Sequence, residues 1–175
     1  VKGYETLINA MPAILHRWPK ARLIIWGEGP KHQQLNQLSK ELQVDHAISF
    51  AGLTPHLERL FPLIDLYIQP SHHESFGLAA AEAMCCGIPA IVSDAGGLPE
   101  LAAHGAAAPI FPPNQPADLT TQILQILDNK PGLKKQGATG RGWILQNYTT
   151  PQMIRRANDL YQSLLGNPPT PKSAS

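Results

Sequence analysis

Five short apolar runs, each followed by a stretch with helical spacing, constrain this chain more than any other feature of its sequence. They are 21–26 (ARLIIW), 47–50, 66–68, 90–93 (AIVS) and 107–111. Runs this short, rich in β-branched and aliphatic residues and bounded by Gly and Pro, read as strands. Gly3 to Trp18 instead places Leu7, Ile8, Met11, Ile14 and Leu15 on one helical stripe, which Pro12 should bend. Further helices are expected from Pro30 through Leu42, near His56 to Phe61, from Gly77 to Cys86, from Pro99, over 118–128 and over 133–147. Thr150-Pro151 is an N-cap and N1 signature for a last helix to about Leu165, stopped by Gly166. Strand-then-helix alternation with apolar strands implies the α/β class: a doubly wound parallel sheet covered on both faces. Such sheets bind ligands at the carboxyl ends of their strands.

Composition narrows the function. With 14 basic residues against 13 acidic ones the net charge is +1, and no basic run marks a nucleic-acid stripe, so nucleic acid is not expected as a partner. Arg141 and Arg155-Arg156 add too little charge for more than peripheral membrane contact. Cys85 and Cys86 are adjacent and cannot join distant loops; they read as packing in a reducing cytoplasm. No apolar stretch approaches the roughly 20 residues of a membrane span. The chain's 175 residues suit one domain, taken as 1–166, with a Pro/Ser-rich tail at 167–175 expected to be disordered. Val1 is not a natural start, so the chain is expected to begin inside a longer protein.

The chemistry concentrates between His72 and Glu100, the stretch HHESFGLAAAEAMCCGIPAIVSDAGGLPE. Ser75 is expected to cap the helix that follows, and Phe76, Gly77 and Leu78 then present the free N–H groups of a helix start, a partial positive charge suited to phosphate. Leu78 and Glu82 share a face, and Glu82 falls about 7 Å along the axis from Gly77, a diphosphate's reach. A carboxylate there suits a ribose diol, while Glu74, ahead of the helix, suits hydroxyls at the ligand's other end. Taken alone, two such acids are more simply solvated surface. The setting argues otherwise: Ala79, Ala80, Ala81 and Ala83 let the helix pack closely, and Gly96-Gly97 follow the next strand at the same sheet edge.

The segments S-x-x-E-S-F-G-L, E-A-M, G-I-P-A-I-V-S-D and G-G-L-P-E resemble the donor half of the GT-B glycosyltransferases called group 1 or family 4, whose E-x7-E motif is Glu74 and Glu82 here. Lys2-Gly3, Gly27-x-Gly29-Pro30, Phe50-x-Gly52 and Asp65-Leu66 to Pro70-Ser71 follow in the family's order, so the likeness covers most of residues 2–165. It implies a nucleotide-diphospho-sugar donor, with Glu74 and Lys2 as catalytic residues: Glu74 on the sugar hydroxyls and the developing positive charge, Lys2 on the diphosphate. Phe76, Gly77 and Leu78 would surround sugar and phosphate, Glu82 hold the ribose, Gly96 and Gly97 leave room, and Leu53-Thr54 meet the base. The implied reaction is sugar transfer to an unidentified acceptor with retention of configuration, in glycoconjugate or polysaccharide synthesis. No cofactor and no metal ion is expected. A GT-B epimerase or phosphorylase, or a non-catalytic nucleotide-sugar-binding or remnant domain, is the alternative.

Two departures from the family stand out. Ala106-Ala107-Ala108 replace a second glycine after Gly105. More seriously, the family's donor domain opens with a strand and an arginine-bearing loop before the lysine-glycine pair, and that strand is central in the order 3-2-1-4-5-6. A gap at the centre of the sheet is therefore expected. The acceptor domain is also expected to be missing from this chain, and the 175 residues alone are expected to be inactive.

Overall fold

A computed structural model describes residues 2–54 and 59–166. The expected tail at 167–175 and most of the expected helix near His56 lie outside the described residues; from that helix only a short 3₁₀ turn, Phe61–Leu63, is described. Strands are β1 (Leu23–Trp26), β2 (Ile48–Gly52), β3 (Tyr67–Gln69), β4 (Ala90–Ser93) and β5 (Ile110–Phe111). Helices are α1 (Tyr4–Arg17), α2 (His32–Glu41), α3 (Leu78–Cys85), α4 (Leu98–Leu101), α5 (Pro116–Asp128), α6 (Lys130–Asn147) and α7 (Thr150–Leu164). Every strand pairing between them is parallel, as the doubly wound class requires.

The pairings form two sheets, β1-β2 and β3-β4-β5. Among the described residues no ladder joins β1 to β3. Both strands line one cavity of about 1230 Å³, floored by Leu7, Met11 and Ile14 of α1 and opening at Glu74, Phe76 and Gly77.

Strand β4 shows why the sheet needs two helical layers. Its residues are all buried, and alternation sends them to opposite sides. Ile91 joins a core with α1, α5, Ile25 of β1 and Leu35 of α2. Ala90 and Val92 join a second core with Ala80 and Met84 of α3, Leu98 and Leu101 of α4, and Ile144 of α6. The two-stranded sheet is less covered, and Ile24 of β1 is exposed. Among the described residues the first core joins the two sheets, through side chains of α1, α2 and α5.

Several boundaries differ from the sequence reading. Helix α1 continues through Pro12, because its buried stripe holds the turn that the missing N–H would weaken. Pro30 sits in the turn before α2, whose first residue is His32. Of the apolar run 107–111 only Ile110 and Phe111 pair as strand; Ala107 and Ala108 are buried in the turn ahead of it. Thr150 is the first residue of α7 rather than its cap, a one-residue difference. Gln136 Nε2 donates to the Ala90 carbonyl at 2.9 Å and Arg141 Nη1 to the Cys85 carbonyl at 2.6 Å, fastening α6 to β4 and to the end of α3. Helix α7 has no buried residue.

Candidate functional site

The site is assembled where the loop after β3 meets the chain ahead of α1. Gly3 has φ 68°, and a Cβ on it would lie 1.8 Å from the Pro70 carbonyl oxygen. Only a glycine lets these two backbones touch. That contact brings Lys2 alongside the loop, where its Nζ donates to Glu74 Oε2 at 2.7 Å. Two further side chains donate to the same oxygen: Gln69 Nε2 at 3.3 Å and Ser71 Oγ at 3.4 Å. Partial burial pushes the Glu74 carboxyl up, but the Lys2 hydrogen bond and charge, the Ser71 hydroxyl and the Gly77 backbone N–H outweigh it. The carboxyl is therefore held below its ordinary range and stays ionised.

Helix α3 starts beside this carboxylate. Its N-terminal residue position is taken by Gly77, at φ 91° in the left-handed region, where an added Cβ would meet Leu98 Cδ2 at 2.5 Å. The expected cap, Ser75, is exposed and makes no capping hydrogen bond; a Gly in this conformation turns the chain directly into the helix, so no Ser is needed there. Ala80, Ala81, Ala83 and Met84 are buried, while Leu78 and Glu82 share the exposed side. Helix α3 thus starts next to the Lys2 ammonium and the Glu74 carboxylate, and the Gly77 N–H bonds that carboxylate.

The Gly-Gly loop packs against the backbone that carries Glu74. A Cβ on Gly96 would lie 1.8 Å from the Glu74 carbonyl oxygen, and one on Gly97 2.4 Å from that of Ser75. The space these glycines make is filled by the Glu74-Ser75 backbone, and Gly97 N–H donates to the Glu74 carbonyl at 3.1 Å. They brace the carboxylate from behind.

An ammonium and a helix start attract an anion, and a fixed carboxylate next to them accepts from hydroxyls. Residues 1–143, which contain all of these groups, match the family model described as glycosyl transferases group 1. The chain belongs to the group 1 glycosyltransferases. N-acetyl-alpha-D-glucosaminyl L-malate synthase of Bacillus anthracis is 27% identical over 165 residues, 94% of this chain and 43% of that protein. Among solved structures, sucrose-phosphate synthase from Thermosynechococcus elongatus is 28% identical with a TM-score of 0.80, over 94% of this chain and 43% of that one. HepE of Anabaena, solved in complex with UDP, shares the fold at a TM-score of 0.84 and 23% identity, over 93% of this chain and 45% of that one. The chain therefore spans less than half the length of these relatives.

Other residues around the site fall as follows. Leu53 and Thr54 follow β2 in the two-stranded sheet, and Leu53 is 74% exposed. Phe76 is partly exposed and meets the ring of Tyr148 edge-on, with centroids 5.5 Å apart. Cys85 packs against the second core, while Cys86 is exposed. Trp143 donates to the Leu101 carbonyl at 2.9 Å and packs against the second core. His72 Nε2 is buried without a partner, the one such side-chain atom among the described residues.

Sequence reading missed Gln69, Ser71 and Tyr67, whose side chains reach toward Glu74 from beneath. A polar Gln at the buried end of an otherwise apolar strand was the available signal. Among the described residues no group of three or more His, Cys, Asp or Glu could hold a metal ion, and no helix is long and apolar enough to cross a membrane.

Proposed function

We propose that this chain is the donor-binding half of a glycosyltransferase of the retaining, family 4 type, taking a nucleotide-diphospho-sugar. The observation that carries this reading is the Lys2–Glu74 contact at the start of α3. It sets a cation, a helix N-terminus and a hydroxyl-accepting carboxylate within one ligand's length. Lys2 spends one of its N–H groups on Glu74, leaving two for diphosphate oxygens. The first turn of α3 adds N–H donors and its dipole.

In the proposed reaction the bond from the anomeric carbon to the diphosphate breaks and its electrons leave with the diphosphate, while an acceptor hydroxyl oxygen bonds the anomeric carbon on the same face and gives its proton to the departing diphosphate. Lys2 and the α3 N-terminus stabilise that charge where it develops, with no divalent cation required. Glu74, held ionised, lies beside the sugar and offsets the positive charge at its anomeric carbon. Glu82 accepts from the ribose, and the backbone near Leu53-Thr54 meets the base. The acceptor and the other wall of the cleft come from a further domain, so the 175 residues alone bind donor without transferring it. A glycoconjugate or polysaccharide is the proposed product.

The names of relatives support a nucleotide-sugar without fixing the base. HepE was solved with UDP, and a Mycobacterium tuberculosis relative 28% identical over 152 residues is named as GDP-mannose-dependent. Calorimetry of the full-length protein with UDP, GDP, UDP-glucose and GDP-mannose tests the reading. One of the four binds, and Glu82→Ala weakens that binding; a scaffold domain would bind none.

A further inference from the structure

Beneath Glu74 the structure holds a line of buried polar side chains that a sheet core would ordinarily exclude. Gln69 is 7% exposed and Ser71 fully buried. Tyr67 Oη lies 2.5 Å from Gln69 Oε1. Gln69 Nε2 lies 2.8 Å from Ser71 Oγ and 3.3 Å from Glu74 Oε2, and Ser71 Oγ lies 3.4 Å from that same oxygen. Ser93 Oγ, also buried, donates to the Ser71 carbonyl at 2.5 Å and ties the line to the end of β4.

The polarity of this line follows from its end. An ionised carboxylate only accepts, so the amide of Gln69 must turn its NH₂ toward Glu74 and Ser71. Its carbonyl oxygen then faces Tyr67, which must donate. Burial pushes the Tyr67 phenol up, with the Tyr4, Glu74 and Glu82 charges acting in the same direction, so it keeps its proton. The Ser71 hydroxyl accepts from Gln69 and has its own proton left for Glu74. Each buried polar group has a partner, which is the condition for a stable internal network.

All three side-chain donors reach one oxygen, Oε2, and the Gly77 backbone N–H also bonds the carboxylate. We infer that Gln69 and Ser71 are positioning residues that clamp Oε2 of Glu74 and so turn its other oxygen toward the ligand. Lys2 closes the clamp from the solvent side, at 52% side-chain exposure. Without it, the two buried donors still fix the plane of the carboxylate. Its functional consequence rests on the donor-site reading above; the clamp itself rests on the contacts.

The test follows the Glu74 carboxyl in the full-length protein by ¹³C NMR against pH, its resonance assigned by loss in Glu74→Gln. Gln69→Met keeps length and loses the amide; Ser71→Ala loses the hydroxyl. Each variant, with an unchanged near-ultraviolet circular dichroism spectrum, shifts the Glu74 midpoint upward. Gln69→Met also weakens UDP-glucose binding about threefold to tenfold while leaving UDP within about twofold, because the carboxylate meets the sugar and not the nucleotide. A folded Gln69→Met with the wild-type midpoint overturns the clamp. Should Gln69→Met fail to fold, an unchanged midpoint in Ser71→Ala overturns it equally. If the wild type binds neither UDP nor UDP-glucose while the midpoint still moves, the clamp stands and the UDP-sugar form of the donor reading falls.

Discussion

The ammonium of Lys2 lies 2.7 Å from the carboxylate of Glu74 across 72 residues of chain. Gly3 makes that approach possible by yielding its Cβ space to Pro70. An ion pair half open to solvent contributes only a few tenths of a kcal/mol to stability, at most about 1. Its value lies in placement. Lys2→Met is therefore expected to leave the melting temperature nearly unchanged while lowering nucleotide-sugar affinity about tenfold or more, the scale of one charge-assisted hydrogen bond. Calorimetry beside thermal unfolding separates the two effects.

Gly96→Ala attacks the same carboxylate from behind. The new Cβ would sit on the Glu74 carbonyl, at a backbone φ of 56° that L residues rarely adopt. Left-handed strain costs about 1–3 kcal/mol and the overlap adds to it. Urea unfolding should show a loss of about 2–4 kcal/mol, whereas Gly142→Ala, with nothing within 4 Å of its Cβ, should be neutral or slightly stabilising. Equal losses in both would remove the bracing role of the loop.

Acid should loosen the site in a definite sense. Folding lowers the Glu74 carboxyl below its ordinary value, so the folded state binds its proton less readily than the unfolded chain does. The stability this gives is fully present above the ordinary carboxyl value and is lost as pH falls through the lower, folded one. Glu5, likewise held low by Lys31 against a raising effect of burial, adds in the same window. The stability difference between wild type and Glu74→Gln should shrink as pH falls through that range. A difference that grows instead would reverse the sign.

Helix α3 depends on having no bulk. Ala80 and Ala83 have no exposed surface, and both meet neighbours that leave no room to move. Ala83→Leu should cost about 1–3 kcal/mol by overpacking, while Gln substituted for exposed Leu78 should be nearly silent for stability. Chemical denaturation of the two variants decides this.

How far the sequence could be read varied with the physical cause at each place. Residues 90–93 were placed without error because burial on both faces leaves an unbroken apolar run, which few other structures demand. Ala107 and Ala108 carry the same apolar signal but are buried in a turn; hydrophobicity reports burial and not pairing. Ser75 looked like a cap because caps favour Ser, yet a left-handed Gly at 77 starts the helix by geometry alone. Glu74, Glu82 and Lys2 were legible through ordered motifs. Gln69 and Ser71 were not, since their partners are fixed only once β3, β4 and the loop are folded together.

The division of the described strands into two sheets has a mechanical consequence. Leu53 hangs from the sheet β1-β2 and Glu74 from the sheet β3-β4-β5, and the described residues join these sheets through the side chains of one helical layer, without a ladder. Hydrogen-bonded strands resist sliding because register is discrete; oily side chains slip more easily. A ligand long enough to touch both sheets would act as a tie-rod across a hinge, and part of its binding energy would emerge as stiffness of the whole chain, readable as slowed amide exchange in strands it never touches.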